Sequence, residues 1–345
     1  MAHQALYRAY RPKNFGEVLG QDHIVSVLER AIEGKKLSHA YLFFGSRGTG
    51  KTSVARIIAK ELGVSEADIY EIDAASNRGI DDIRELREAV KTFPFDSKYK
   101  VYIIDEVHML TKEAFNALLK TLEEPPKHVI FILATTELHK VPDTIISRCQ
   151  TFTFKKPSEA VLRELVTVVA KKEGIKIDKA GIELVTILGD GSFRDTYGIL
   201  EKVLVYSKDK TVTREEIEAI TGAPNGRVVR EILEAISEAD ISKALMAVGK
   251  AKEQNSDMRT LAKLLLTELR AVFLLRIAPD SKKKLIETFG EDDVAFLEKI
   301  AKNAKSGISS KTLVSLIDAY HLIDSASFVP ELPLELALTE IISGK

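Results

Sequence analysis

The sequence predicts an α/β domain, a parallel sheet with helices on both faces, followed by a region that is almost entirely helical. Three observations carry this prediction. Short apolar runs alternate with amphipathic helical patterns up to about residue 154. A complete phosphate-loop pattern follows the first of those runs, and strand-like runs nearly vanish after Pro157.

The apolar runs are predicted to be the strands of the sheet. β-branched and aromatic residues are frequent in them, and runs of four or five residues between helices are typical of buried parallel strands. The runs are 41–44, 69–73, 101–104, 129–133 and 151–154.

Helical periodicity marks the other elements. In the segment 112–124, apolar residues recur at i, i+3, i+4 and i+7, and Pro125-Pro126 ends the helix. A helix opening at Ser158 is expected to end at Gly174. Later helices are predicted at 179–188, 193–206 and 214–220. From residue 227 the chain is predicted to be all helical, with Leu-rich stretches at 258–277 and 310–323.

Glycine, proline and Asn-Gly lie close together at 221–226, which makes this segment the best linker in the sequence. We therefore predict three domains: an α/β core at 1–157, a small helical domain at 158–222 and a helical C-terminal domain at 223–345.

Charge and cysteine content exclude several classes of protein. Lys plus Arg (50) nearly cancels Asp plus Glu (51), so any nucleic-acid contact must come from a local cluster. The single cysteine, Cys149, excludes an internal disulfide and any zinc site with several thiolates. No apolar run reaches the ~18 residues of a membrane span. With one thiol and no secretion signal, we expect a cytoplasmic protein.

Residues 45–52 read Gly-Ser-Arg-Gly-Thr-Gly-Lys-Thr and match G-x-x-x-x-G-K-[ST] in full, between a predicted strand and a helix predicted at 53–62. Glycines let successive N–H groups converge on phosphate at a helix N-terminus. Lys51 can reach the β- and γ-phosphates, and the Thr52 hydroxyl can ligate Mg²⁺. The predicted nucleotide-binding residues are Gly45, Ser46, Arg47, Gly48, Thr49, Gly50, Lys51, Thr52 and Ser53.

Asp105 and Glu106 follow the predicted strand 101–104. Asp105 is expected to hold the magnesium through water, and Glu106 to polarise the attacking water as a general base. Alone, such a pair could equally be a helix N-cap. Beside a complete phosphate loop the catalytic interpretation is favoured, and the pair predicts hydrolysis rather than binding alone.

Three further polar residues suit the same chemistry. Thr135 ends the fourth predicted strand, where its hydroxyl could orient the attacking water or contact the γ-phosphate, although alone it could simply be a strand-end threonine. Arg148 precedes the last strand and Arg194 opens a later helix. Either could neutralise charge in the transition state, whereas an isolated arginine is usually solvated or ion-paired.

Long motifs resemble the AAA+ ATPases and, among them, the gamma/tau family of bacterial DNA polymerase III, the motor of the clamp loader. The motifs are LYRAYRPK (6–13), VLGQ (18–21), HAYLF (39–43), EIDAASNRGI (71–80), IIDEVHML (103–110), NALLKTLEEPP (116–126) and SRC (147–149). The resemblance is dense over 5–155, persists through Gly191–Asp195 and thins beyond 225, where PELPLELA (330–337) is the main similarity.

The resemblance implies a role for each matching residue. Thr135, with Thr136 beside it, matches the first sensor, and Arg194 matches a second sensor carried by the helical lid at 158–222. Arg148 matches the arginine finger that serves the nucleotide of a neighbouring subunit. The residues that match the segment packed over adenine and ribose are Tyr7, Arg8, Tyr10, Arg11 and Pro12. Those that match positions near template phosphates are Asn77, Arg78 and Arg84.

The resemblance also implies cofactors and partners: ATP with Mg²⁺, delta, delta-prime and further gamma/tau subunits, the sliding clamp and primer–template DNA. The expected assembly is a pentameric hetero-oligomer joined through a collar at 223–345. Such a chain is an ATPase within the DNA polymerase III holoenzyme and not itself the polymerase.

Two departures from the family pattern matter. The family usually carries a four-cysteine zinc module after the phosphate-loop helix, whereas here LGVSEAD (62–68) fills that place without cysteine or histidine, and we predict no zinc. The sequence also ends at 345 without the long extension of the tau form. We therefore expect a gamma-like form, a truncated chain or a minimal natural variant.

Two other functions remain open at this stage. One is another DNA-linked AAA+ machine, such as a Holliday-junction helicase motor or a replication-recombination ATPase. The other is a stator-like subunit of the loader that binds partners without hydrolysing ATP, against which the complete phosphate loop and Asp105-Glu106 argue.

Overall fold

The computed structural model describes residues 5–77, 79–207, 210–303, 308–326 and 328–344. They form two compact units. The first comprises 5–162 together with Gly191–Asp195, and the second comprises 163–190 and 196–344. The division into three domains stays a prediction.

The first unit is built on a five-stranded parallel sheet in the order β2-β3-β4-β1-β5. The strands are β1 (Ala40–Phe44), β2 (Ile69–Asp73), β3 (Lys100–Asp105), β4 (Val129–Thr135) and β5 (Gln150–Thr153). All five predicted strands are confirmed.

Helices cover both faces of this sheet. Leu42, Phe131 and Leu133 pack on one face with residues of α4 and α5, and Tyr41 and Phe43 pack on the other with residues of α2 and α3. The helices that begin within residues 5–162 are α1 (Leu6–Ala9), α2 (Asp22–Glu33), α3 (Lys51–Glu61), α4 (Ile80–Lys91), α5 (Lys112–Glu123), α6 (Asp143–Ile146) and α7 (Glu159–Lys172). The predicted fold class is confirmed.

Strand register places three functional segments at one edge of the sheet. Phe44 pairs with Thr135, Ile104 pairs with Leu133, and Asp73 pairs with Asp105. Because the strands are parallel, the phosphate loop after β1 and the polar ends of β3 and β4 meet at their carboxyl edge.

The second unit is mainly helical. Its helices are α8 (Lys179–Leu188), α9 (Phe193–Tyr206, whose first residues belong to the first unit), α10 (Arg214–Thr221), α11 (Gly226–Glu238), α12 (Ile241–Glu253), α13 (Met258–Ile277), α14 (Lys282–Phe289), α15 (Glu291–Lys302), α16 (Ser310–Ile323) and α17 (Leu332–Ser343). The predicted linker is the break between α10, which ends at left-handed Gly222, and α11, which Asn225 caps. None of the helices described is long and apolar enough to cross a membrane.

This unit also contains a small parallel ladder that was not predicted from the sequence. Lys176–Ile177 (β6) pairs with Thr211–Val212 (β7). A strand of two residues has no periodicity that a sequence pattern can reveal.

Candidate nucleotide-binding site

The phosphate loop has a backbone that favours glycine. Gly48 and Gly50 have φ angles of 74° and 102°, in the left-handed region that L side chains rarely adopt. A Cβ on Gly48 would also lie 2.0 Å from Ser192 Oγ, and Phe193 N donates a hydrogen bond of 2.9 Å to the Gly48 carbonyl. The loop therefore packs tightly against the start of α9.

Helix α3 begins at Lys51, two residues before the predicted start at residue 53. The backbone N–H groups of its first turn follow the loop directly, and the positive end of the helix dipole lies there. This arrangement is the usual one for binding phosphate.

Lys51 is buried, and its ammonium folds back over the loop. Its Nζ donates to the carbonyl oxygens of Gly45 at 2.8 Å and Ser46 at 3.0 Å. Burial lowers the pKa of this ammonium, and the carboxylates of Glu106 and Asp105 oppose that shift. Lys51 is thus held where a phosphate group in the loop would be within its reach.

Two oxygen ligands suited to Mg²⁺ lie side by side. The Thr52 hydroxyl donates to Asp105 Oδ2 at 2.8 Å, across 53 positions of sequence. Asp105 Oδ1 accepts from the Glu106 backbone N–H at 3.0 Å. Hydroxyl and carboxylate oxygens are what Mg²⁺ prefers beside nucleotide phosphates. The residues present therefore fit the magnesium complex of a nucleotide.

Glu106 has backbone dihedral angles that are unusual for a residue other than glycine. Its φ of 49° and ψ of 44° are left-handed, and such backbones concentrate at functional sites. Glu106 precedes the short 3₁₀ helix Val107–Met109, but its side chain makes no capping hydrogen bond there. Instead its Oε2 accepts from the Thr136 hydroxyl at 3.1 Å. Glu106 therefore stands at the N-cap position, but its carboxylate does not cap the helix.

Thr135 connects the loop, β4 and a histidine that the sequence analysis did not select. Its carbonyl accepts from Gly45 N at 3.2 Å. Its buried hydroxyl oxygen accepts from Glu137 N at 3.0 Å and lies 3.0 Å from His108 Nδ1. The available signal for His108 was its position two residues after Glu106 within IIDEVHML.

Arginines converge on a pocket of about 420 Å³ in the same unit. The pocket is lined by Tyr7, Arg8, Arg11, Arg56 and Arg194. The guanidinium carbon of Arg194 lies 5.8 Å from the centre of the Tyr7 ring, and Arg8 Nε donates to the Tyr7 hydroxyl at 3.1 Å. Burial and the nearby Arg56 lower the pKa of Arg11. So many positive groups favour an anionic ligand.

Four predicted nucleotide-binding residues, Tyr7, Arg8, Arg11 and Arg194, thus line one pocket. Arg56, which was not predicted, lines it as well and pairs with Glu71. Within the described part of the chain, Tyr10 and Pro12 are not among the residues that line this pocket. Arg56 lies on α3, where nothing in the sequence distinguishes it from a solvated basic residue.

Arg148 has partners outside the phosphate loop. Its guanidinium donates to Glu123 Oε1 on α5 at 2.6 Å and to the Thr144 carbonyl at 2.8 Å. Its side chain stays 34% exposed, so a neighbouring molecule can reach it.

Two of the three predicted DNA-contacting residues, Asn77 and Arg84, lie within the described residues. Asn77 Nδ2 donates to the Asp73 carbonyl of its own turn at 3.1 Å. Arg84 is exposed and pairs with Asp81 at 3.1 Å. Arg78 lies outside the described residues. Their role stays a prediction.

We expect the purified protein to contain less than one zinc per chain, and chelation to leave its unfolding temperature unchanged. Burial raises the pKa of Cys149 to about 12, which disfavours the thiolate that binds zinc. In the described ranges, no group of three or more His, Cys, Asp or Glu side chains is placed to hold a metal. Elemental analysis that finds one zinc per chain would contradict this prediction.

Sequence comparison finds relatives in one replication complex. A family model described as the DNA polymerase III delta subunit matches residues 20–77 and 64–158. The DNA polymerase III subunit tau of Bacillus subtilis is 41% identical over an alignment of 317 residues, which covers 84% of this chain and 56% of that protein. The gamma/tau subunit of Mycobacterium tuberculosis is 38% identical over an alignment of 311 residues, which covers 84% of this chain and 54% of that protein. The chain thus spans about half the length of these relatives.

Structural comparison finds the same fold in a motor protein. The RuvB Holliday junction branch migration motor of Thermotoga maritima matches with a TM-score of 0.53 and 23% identity, over 66% of this chain and 79% of that one. At this identity the likeness shows the fold alone, and it confirms the predicted fold class.

Proposed function

This chain belongs to the gamma/tau family of DNA polymerase III subunits, and we propose that it is the ATP-hydrolysing motor of a replicative clamp loader. One observation carries the proposal: a complete phosphate loop lies at the same sheet edge as the Thr52–Asp105 pair, with Glu106 beside it. A subunit that only binds partners has no need of a general base at that place.

The proposed chemistry follows from where each group lies. Lys51 and the first N–H groups of α3 would bind the phosphates and offset their charge. Mg²⁺ held by Thr52 and Asp105 would add further neutralisation of phosphate charge. Glu106 would accept a proton from the attacking water, and Thr135 would orient that water. Arg194, which packs on the Tyr7 ring, would act on the same nucleotide.

Partners are proposed from the family. We propose that the chain assembles with delta, delta-prime and further gamma/tau copies into a pentamer that opens a sliding clamp and places it on primer–template DNA. Nucleotide binding would favour assembly, and hydrolysis would release the clamp. The names of the relatives support this assignment, and Asn77, Arg78 and Arg84 are the proposed contacts to DNA.

A motor for Holliday junctions is the second candidate. The RuvB likeness favours it only at the level of fold, whereas the gamma and tau subunits are 34–41% identical to this chain. The two functions differ in what stimulates hydrolysis. A clamp-loader motor should hydrolyse ATP much faster only when partner subunits, clamp and primed DNA are all present.

Lys51→Ala should abolish ATP hydrolysis, because phosphate charge in the loop would lose its buried counter-ion. Equilibrium binding of a fluorescent ATP analogue measures nucleotide affinity, and steady-state turnover measures hydrolysis. Lys36→Ala, at an exposed lysine before β1, is the matched control and should behave like wild type. Wild-type turnover in Lys51→Ala would overturn the phosphate-site assignment.

A further inference from the structure

His108 is buried next to the proposed general base, yet the chemistry above gives it no task. Its Nδ1 lies 3.0 Å from Thr135 Oγ1 and 3.5 Å from Glu106 Oε2. On the opposite edge of the ring, Nε2 lies 3.3 Å from Glu137 Oε1. Only 5% of the side chain is exposed. One imidazole therefore contacts the base, the sensor threonine and the segment that follows β4.

The hydrogens around Thr135 decide what its hydroxyl can do. Thr135 Oγ1 already accepts from Glu137 N. If Nδ1 had no hydrogen, the threonine would have to donate its single hydrogen to the ring, and it could donate to nothing else. If Nδ1 carries the hydrogen, Thr135 Oγ1 accepts twice, and its own hydrogen is left to donate to a third group.

The surrounding charges favour the second arrangement. A bare Nδ1 would present its lone pair to the Glu106 carboxylate, whereas Nδ1–H faces that oxygen favourably. On the other edge, a hydrogen bond from Lys140 lowers the pKa of Glu137. Glu137 is therefore a charged acceptor for a hydrogen on Nε2, so a ring that carries hydrogen on both nitrogens satisfies both carboxylates, and these contacts fix its plane.

We propose that His108, with a hydrogen on Nδ1, is a positioning residue for hydrolysis: it frees the Thr135 hydroxyl to donate and holds the Glu106 carboxylate in place. This inference rests on the proposed ATPase function. His108 itself contacts neither of the proposed magnesium ligands, Thr52 and Asp105, in the bonds described for them. Its loss should therefore change turnover and leave nucleotide affinity intact.

The first test is a set of variants in the full chain with its partners. His108→Ala should lower kcat about 10- to 100-fold, the scale of a small misplacement of reacting groups, with unchanged affinity for a fluorescent ATP analogue. His108→Asn, whose amide can take the place of Nδ1, should regain most of the turnover. His108→Gln, whose amide reaches toward the place of Nε2, should regain less. His128→Asn, at a partly buried histidine bonded to the Val90 and Thr92 carbonyls, should match wild type.

The second test asks whether His108 acts through its neighbours. Adding His108→Ala to Glu106→Gln should lower single-turnover hydrolysis by a smaller factor than it does in wild type, because one of the two groups that His108 positions is already gone. Imidazole ¹⁵N spectra of the chain without nucleotide should show a hydrogen on Nδ1 of His108, and the His108→Asn spectrum assigns the signal by its absence.

Several results would overturn the inference. They are wild-type kcat in His108→Ala, an equal loss of affinity and kcat, fully additive effects, better rescue by Gln than by Asn, or an Nδ1 without hydrogen. If the alanine variant does not fold, the Asn and Gln variants and the spectra still decide. If Lys51→Ala is inactive and His108→Ala is not, the proposed function stands and this inference falls. A wild-type chain with no ATPase activity, alone or with partners, overturns both.

Discussion

Replacing Glu106 by glutamine should lower ATP turnover by about 10²-fold or more, the usual share of a general base, while nucleotide still binds. Glutamine keeps the size of the side chain and can still accept the Thr136 hydrogen bond that Glu106 Oε2 accepts. What it loses is the ability to take a proton from water. The variant should therefore remain in the ATP-bound form and still bind the sliding clamp.

Binding and turnover must be measured separately to interpret this result. Single-turnover hydrolysis reports the chemical step, and a fluorescent ATP analogue reports affinity. Glu113→Gln, at an exposed glutamate in the first turn of α5, removes the same charge away from the site and should match wild type. A loss of affinity as large as the loss of rate would make Glu106 a structural residue.

The sequence predicted the fold well because its signals are local. Apolar runs bounded by helices identified every strand of the main sheet, and α8 and α9 begin and end at the predicted residues. The ladder β6–β7 was missed because pairing of two-residue strands is a tertiary contact. Helix α3 begins early because its first residues continue the phosphate loop.

The residues of the site also fall into two groups, those that a local sequence motif predicted and those that it did not. The phosphate loop is a local motif, and the meeting of Thr52 with Asp105 follows from the rule that parallel strands bring their carboxyl ends to one edge. The roles of His108 and Arg56 depend on side chains that approach from other elements. Sequence spacing does not encode such approaches, so nothing marked Arg56 beforehand, and the position of His108 two residues after Glu106 was its only signal.

Arg148 lies at the opposite end of the sheet from the phosphate loop of its own chain. It precedes β5, whose first residue Gln150 pairs with Tyr41 near the start of β1, whereas the loop begins at Gly45 after β1. Four residues of strand span about 13 Å. In this chain its guanidinium is bound by Glu123. The position supports the proposal that Arg148 serves the nucleotide of a neighbouring subunit.

Arg148→Ala should therefore leave the nucleotide affinity of the isolated chain intact and strongly reduce hydrolysis stimulated by clamp and DNA in the assembly. An arginine acting between subunits contributes about 10³- to 10⁵-fold in the best-studied nucleotide hydrolases. Arg30→Ala, at an exposed arginine of α2, is the matched control. An equal loss of activity in the isolated chain would indicate that Arg148 acts on its own nucleotide or on folding.

Mixing two inactive variants separates a shared site from a self-contained one. A Lys51→Ala chain cannot use its own ATP but still offers Arg148 to its neighbour, and an Arg148→Ala chain keeps its own phosphate loop. Assembled together with the partner subunits, the two should recover hydrolysis at those interfaces where an intact phosphate loop meets an intact Arg148. Each variant mixed with wild type shows that mixed complexes form. If those controls are active and the mixture of the two variants never is, Arg148 does not act between subunits, and its bond to Glu123 is its structural role.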